Sequence, residues 1–207
     1  MTMRNGRFLA STLVVAASLL ATGATASADL INIFGDGALG DYTGSISYDG
    51  GTNVLVISLT NTSAPANGGF LTGVIFNINS ADAAASAVLT STTDADFLDT
   101  GSENGAPFGT FEAGAALGAN WLGGGNPTLG IGVGGSVTLT FLVTASDRAF
   151  LTAGSFINND VLDPDFVVRF RGFEDGGSDK VPGTPAPAAL GLLGVAGAFS
   201  GGRRRKA

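Results

Sequence analysis

An antiparallel β-sandwich between two apolar ends is the fold this sequence predicts, and three observations predict it. Short runs alternate apolar and polar residues, as Val137, Leu139, Phe141 and Val143 do within Ser136–Thr144; that period puts one face of a strand on a core. Turn residues punctuate the runs, among them Asn61, Pro65, Asn67, Gly68, Gly101, Asn104, Gly105, Pro107, Asn126 and Pro127, at the spacing of short strands. The two Ala-containing segments that could be helical, 81–87 and 112–117, carry no wide amphipathic stripe, and no repeat has a fixed period, which argues against a solenoid. A jelly roll is one version of this architecture.

The elements follow in order. Residues 1–28 read as a secretory signal peptide: Arg4 and Arg7 are followed by a short apolar core over 8–20. Ala26-Ser27-Ala28 then has the small-x-small form of a signal peptidase site, so cleavage is expected after Ala28. Residues 30–34 form a first strand. Residues 45–48 and 53–60 read as a hairpin around a four-residue loop, Asp49-Gly50-Gly51-Thr52. Further strands are expected over 69–78, 136–144, 149–157 and 166–170. The Ala-rich 81–87 and a turn around 112–117 are expected to be helical. This places one sandwich domain at 29–180.

Residues 181–207 make the last unit. Val181-Pro182-Gly183-Thr184-Pro185-Ala186-Pro187 reads as a stiff spacer, because each Pro fixes its own φ and disfavours helix before it. An uncharged apolar run follows, and Arg203, Arg204, Arg205 and Lys206 close the chain. Residues 186–202 as a helix would reach about 25 Å, nearly a hydrocarbon core, with the basic cluster snorkelling. That cluster acts as a cytoplasmic stop and leaves the sandwich on the outer side. Gly191, Gly194 and Gly197 would form a small-residue ridge on such a helix.

A Pro motif, a short apolar helix and a terminal Arg run, in that order, resemble the PEP-CTERM sorting signal of Gram-negative bacteria, also called the ice-binding-protein C-terminal domain. Pro185-Ala186-Pro187 has Ala where the family's motif has Glu. Residues 59–63, 73–78 and 168–180 are similar to β-domains found ahead of such tails. The resemblance implies recognition by an exosortase-like membrane protease after passage through the secretion translocon and signal peptidase. It also implies contact with membrane lipid, transit through the inner membrane with the domain facing the periplasm, a final place at the cell surface or in the extracellular matrix, and association with exopolysaccharide or biofilm. Val181 to Pro185 resembles a sortase signal more distantly, with Pro at the bond to be cut.

Charge and composition exclude several classes. All 17 acids lie between Asp29 and Asp179, and the region 29–180 sets them against four bases, Arg148, Arg169, Arg171 and Lys180, a net of −13. Such a surface repels phosphate backbones, so no nucleic-acid partner is expected. The chain has neither His nor Cys, which removes His-based triads, thiol chemistry and His or Cys zinc sites. Gly130 to Gly135 leads into a strand rather than a helix, so it is no dinucleotide loop. No catalytic residue and no cofactor is assigned. Calcium is the one ion the acids could suit, at Asp94, Asp96 and Asp99, at Asp163 and Asp165, or at Glu174, Asp175 and Asp179. Paired carboxylates from the same set would be needed for the alternative of a glycoside hydrolase. Trp121 is expected in the core, and Asn61-Thr62-Ser63 is an incidental glycosylation sequon. The expected function is a non-enzymatic surface protein; the alternative is a carbohydrate-, ice- or calcium-binding module.

Overall fold

A computed structural model of the chain describes residues 28–123 and 125–187. The signal segment through Ser27, the apolar run 188–199 with its glycine ridge, and the basic cluster 203–206 lie outside the described residues. Among the described residues no helix is long and apolar enough to cross a membrane.

The described residues fold into thirteen strands: β1 (Asp29–Asp36), β2 (Asp41–Asp49), β3 (Val54–Asn61), β4 (Gly68–Phe76), β5 (Ser86–Thr92), β6 (Phe97–Asp99), β7 (Glu103–Asn104), β8 (Thr110–Phe111), β9 (Ala113–Leu117), β10 (Ser136–Thr144), β11 (Phe166–Phe173), β12 (Ser178–Pro182) and β13 (Thr184–Pro185). A six-stranded sheet has the order β13-β1-β2-β3-β10-β5, and a five-stranded sheet the order β12-β11-β4-β9-β6. The strands pair antiparallel throughout. An all-β antiparallel fold is therefore what the sequence encodes.

The two sheets meet across an aromatic core. Phe76 on β4 stands edge-on to Phe141 on β10, centroids 5.0 Å apart. Tyr42 on β2 packs on Phe166 and Phe170 of β11, both at 6.4 Å. In the six-stranded sheet alternation survives: β3 buries Leu55, Ile57, Leu59 and Asn61, and β10 buries Val137, Leu139, Phe141 and Val143. The centre of the five-stranded sheet is covered on both faces, so β9 is buried at every position and β4 from Leu71 to Phe76, the pattern of doubly covered strands.

The predicted hairpin forms, one residue along, with its loop at 50–53. Asp49 holds it by accepting from Gly51 N–H at 2.8 Å and Thr52 Oγ1–H at 2.9 Å. Asn61 is no glycosylation acceptor in this fold. It is fully buried, donating to the Gly69 and Ile131 carbonyls at 3.2 and 2.9 Å and accepting from Ser63 N–H at 3.1 Å.

Four expectations are corrected. Residues 81–87 are a turn entering β5, because Asp82 accepts backbone N–H groups from Ala84 and Ser146 and so competes with a helix. Residues 113–117 are β9, not a helical turn. The expected strand 149–157 is instead two 3-10 turns, Arg148–Phe150 and Ala153–Phe156, the second closed by a Thr152–Ser155 capping box. The sandwich also runs past 180: Val181 is fully buried in β12, and Thr184 and Pro185 pair with Phe34 and Ile33. The stiff Pro segment supplies an edge strand, a place where Pro is tolerated.

Phe76→Ala should cost about 3–5 kcal/mol of stability, since Phe76 fills the space between the sheets. Chemical denaturation measures it; a loss well under 1 kcal/mol would contradict the packing described.

Candidate functional site

The outer face of the six-stranded sheet carries the polar half of its alternating strands, and there the register aligns hydroxyls. Asn32 on β1, Ser45 on β2, Ser58 on β3 and Thr138 on β10 stand opposite one another in one row. Phe34, Thr43, Thr60 and Ser136 make the next. Thr184 on β13 extends that second row, and Ala186, whose N–H donates to the Asn32 carbonyl at 2.7 Å, extends the first. Rows lie roughly 6.8 Å apart and neighbours within a row about 4.8 Å apart.

All of these but Thr184 line a trough of about 600 Å³, with Phe34 and Ala186 at the β1 side. Cross-strand bonds hold part of the floor, Ser58 Oγ with Thr138 Oγ1 at 3.1 Å and Thr60 Oγ1 with Ser136 Oγ at 2.8 Å. Each hydroxyl carries one donor and two acceptor positions, so capacity remains for a ligand. None of the lining residues is ionisable. The trough therefore presents hydroxyl and amide groups, and no titratable side chain, to whatever lies in it.

The acids singled out from the sequence lie elsewhere and act mostly as turn acceptors. Asp94 Oδ1 takes the Asp96 N–H at 3.0 Å, and Asp99 Oδ1 takes Leu89 N–H at 2.7 Å. Asp163 sits in a loop where its own carbonyl accepts from Asn158 Nδ2 at 2.9 Å. Asp165 is half-buried, and burial pushes its carboxyl above the ordinary value against hydrogen bonds with Asn77 and Asn158. Asp175 Oδ1 accepts from Gly177 N–H at 2.7 Å. Glu174 and Asp175 border a hollow of about 120 Å³ beside Leu39 and Phe173. Asp179 Oδ2 accepts from Leu39 and Gly40 N–H at 2.9 and 3.2 Å. Asp41 is raised by burial, then by its neighbours Asp36 and Asp179. Among the described residues no three acids converge as a metal site.

Trp121 is buried, 1% exposed, yet outside the main core. It joins Ile75, Phe111 and Val167 in a second cluster over the outer face of the five-stranded sheet. Gly73 makes room: a Cβ there would lie 3.0 Å from Ala116 Cβ and 3.2 Å from Trp121 Cε3. Arg169, cross-strand from Gly73, sets its guanidinium 5.9 Å from the indole centroid and donates through Nη1 to the Trp121 carbonyl. Lys180, paired with Arg169 on β12, donates to the Ala106 carbonyl. Burial, then the neighbouring cation, lowers both bases. Trp121 thus offers no open face to a sugar; it is the centre of a cover clipped on by cations.

Sequence reasoning missed Thr43, Ser45, Ser58, Thr60, Ser136 and Thr138 as a group. The signal was hydroxyls two residues apart in three separate strands, which become neighbours only once the register is known. No family model matches this chain, and no curated protein or solved structure matches it either.

Arg169→Ala should cost about 1–3 kcal/mol and loosen the cover. Trp121 is the only indole in the chain, so its emission should shift to the red in native buffer. Unchanged emission and stability would show that Arg169 holds nothing.

Proposed function

We propose that this chain is an exported, membrane-sorted surface protein that works by binding a neutral, hydroxyl-rich polymer such as exopolysaccharide, and not by catalysis. The observation that carries the binding reading is the uncharged trough, with six hydroxyls and Asn32 in register across four strands. Hydroxyls that both donate and accept suit a sugar chain, and the repeat of the rows suits a repeating ligand. Phe34, exposed at the rim, adds an apolar surface for a sugar ring.

The sorting reading rests on the sequence of the two ends: the signal form of residues 1–28, the apolar run after Pro187, the terminal Arg cluster, and their resemblance to PEP-CTERM tails. The processing residues Val181 and Pro182 belong to β12, and Pro185 to β13. A cut within 181–185 would break β12 or sever β13, and Ala186 N–H still bonds to the Asn32 carbonyl, so in this reading exosortase-like cleavage falls at or beyond Pro187.

The same hydroxyl grid supports a second reading, an ordered-water or ice-binding face. The trough's concavity favours a polymer over a flat crystal plane, and thermal hysteresis measured on the purified protein separates the two.

Two outcomes are expected. Thr60→Val with Thr138→Val removes two hydroxyls at nearly constant volume; retention on matrix polysaccharide should fall at least several-fold while the thermal midpoint stays close to wild type. Unchanged retention would remove the trough from the proposal. In a host with the sorting enzyme, mass spectrometry should place the new C-terminus at or after Pro187. Identical mass and location with and without the enzyme would leave a plain anchored protein.

A further inference from the structure

Both apolar segments of this chain attach to the same end of one sheet edge. The candidate signal segment ends at Ala28, and β1 begins at Asp29. β13 runs antiparallel to β1, and the Ala186 N–H still bonds to the Asn32 carbonyl. The chain therefore reaches Pro187 while travelling towards the Asp29 end, with two residues between the last paired strand position, Pro185, and the apolar run that begins at Ala188. That leaves almost no slack.

The loops at this end carry the two most exposed large apolar side chains of the described domain. Phe150 is 87% exposed, Leu162 86%, and the adjacent Val161 52%. Their position is fixed by hydrogen bonds. Tyr48, cross-strand from Asp29, donates its hydroxyl to the Arg148 carbonyl at 2.7 Å. Ala153 N–H bonds to Asp29 Oδ2 at 3.2 Å. The loop bearing Leu162 leads directly into β11, where the Phe166 carbonyl accepts from Gly183 N–H at 2.8 Å just before β13. One such side chain alone would mean little; three at the end of the sandwich to which the apolar tail is joined are what a lipid interface would bury.

We infer that this end of the sandwich rests on the bilayer, with Phe150, Val161 and Leu162 entering the headgroup region. The inference rests on the membrane-sorting reading above and adds the surface that makes contact. Apolar side chains at this depth contribute binding through buried area, and the short tether supplies the local concentration that three side chains alone lack. The headgroup class follows from charge. Asp147, Asp160 and Asp163 flank the apolar tips and outnumber the one base beside them, Arg148, so an anionic surface repels this end and an ammonium-bearing zwitterionic surface accepts it.

The chain contains no cysteine, so Phe150→Cys, Leu162→Cys and Val133→Cys each give a single labelling site. Val133 is 38% exposed in the loop whose Gly134 N–H bonds to the Asn61 carbonyl, at the opposite end of the sandwich. Each variant, as the full chain in zwitterionic vesicles, is labelled with a polarity-sensitive dye and floated. Dyes at 150 and 162 should shift to the blue and be quenched by headgroup-quencher lipid, while the dye at 133 stays water-like. Chains that float while all three dyes report water would overturn the inference and leave the tail reading intact. A blue shift that needs no vesicle and grows with protein concentration would overturn it in favour of self-association. Chains that fail to float would overturn the membrane reading and the inference together.

Discussion

The indole of Trp121 reaches the five-stranded sheet because Gly73 and Ala116 leave room for it. With Phe111, Ile75 and Val167 it dries a sheet face that would otherwise be wet. Once that face is covered, β4 and β9 must be apolar or small on both sides, and Arg169 and Lys180 can remain there only by stacking and by giving their N–H groups to loop carbonyls. The covering also leaves the outer face of the six-stranded sheet as the broad sheet surface open to solvent. The location of the trough thus follows from where the molecule spent its only tryptophan.

The same asymmetry explains which parts of the fold could be read in advance. β10 was legible to the residue because one face is wet, so Val137, Leu139, Phe141 and Val143 alternate with Ser and Thr. β9, Ala-Gly-Ala-Ala-Leu, carries no alternation because no face is wet, so the sequence there does not read as a strand. Gly114 shows why small residues sit there: a Cβ would lie 2.5 Å from the Val74 carbonyl oxygen. Residues 149–157 failed for another reason. Their apolar residues, Leu151, Ala153 and Phe156, do reach the core, but Thr152 and Ser155 close a turn locally before any strand partner is available.

The site was less legible than the fold. The carboxylates stand out in the sequence, yet Asp94, Asp175 and Asp179 accept backbone N–H groups that turns leave over, and Asp99 accepts that of Leu89 in β5. The hydroxyls were visible individually but meaningless until β2, β3 and β10 were aligned. Pairing register depends on long-range contacts, here between residues near 45, 58 and 138, and no local pattern encodes it. The edge strand β13 was obscured by its prolines, although Pro185 needs no N–H for the ladder on its open side.

The proposed membrane end and the trough are compatible, and their separation can be counted along β1. From Asp29 to the Asn32 row is three residues and to the Phe34 row five, roughly 10 and 17 Å at strand rise. A sandwich standing on its Asp29 end would hold the first row just above the headgroups and the second well clear of them. The floor then faces sideways, parallel to the bilayer normal, so a polymer crossing the strands along a row would run parallel to the membrane surface and meet no steric barrier from it. A polymer lying along the strands would instead be driven into the lipid within a few residues' length. If both proposals hold, the ligand follows the rows from Ala186 and Asn32 towards Thr138, where spacing is set by interstrand distance rather than by residue repeat. Removing the tail would not change that geometry; it would only free the loaded domain from the surface beneath it.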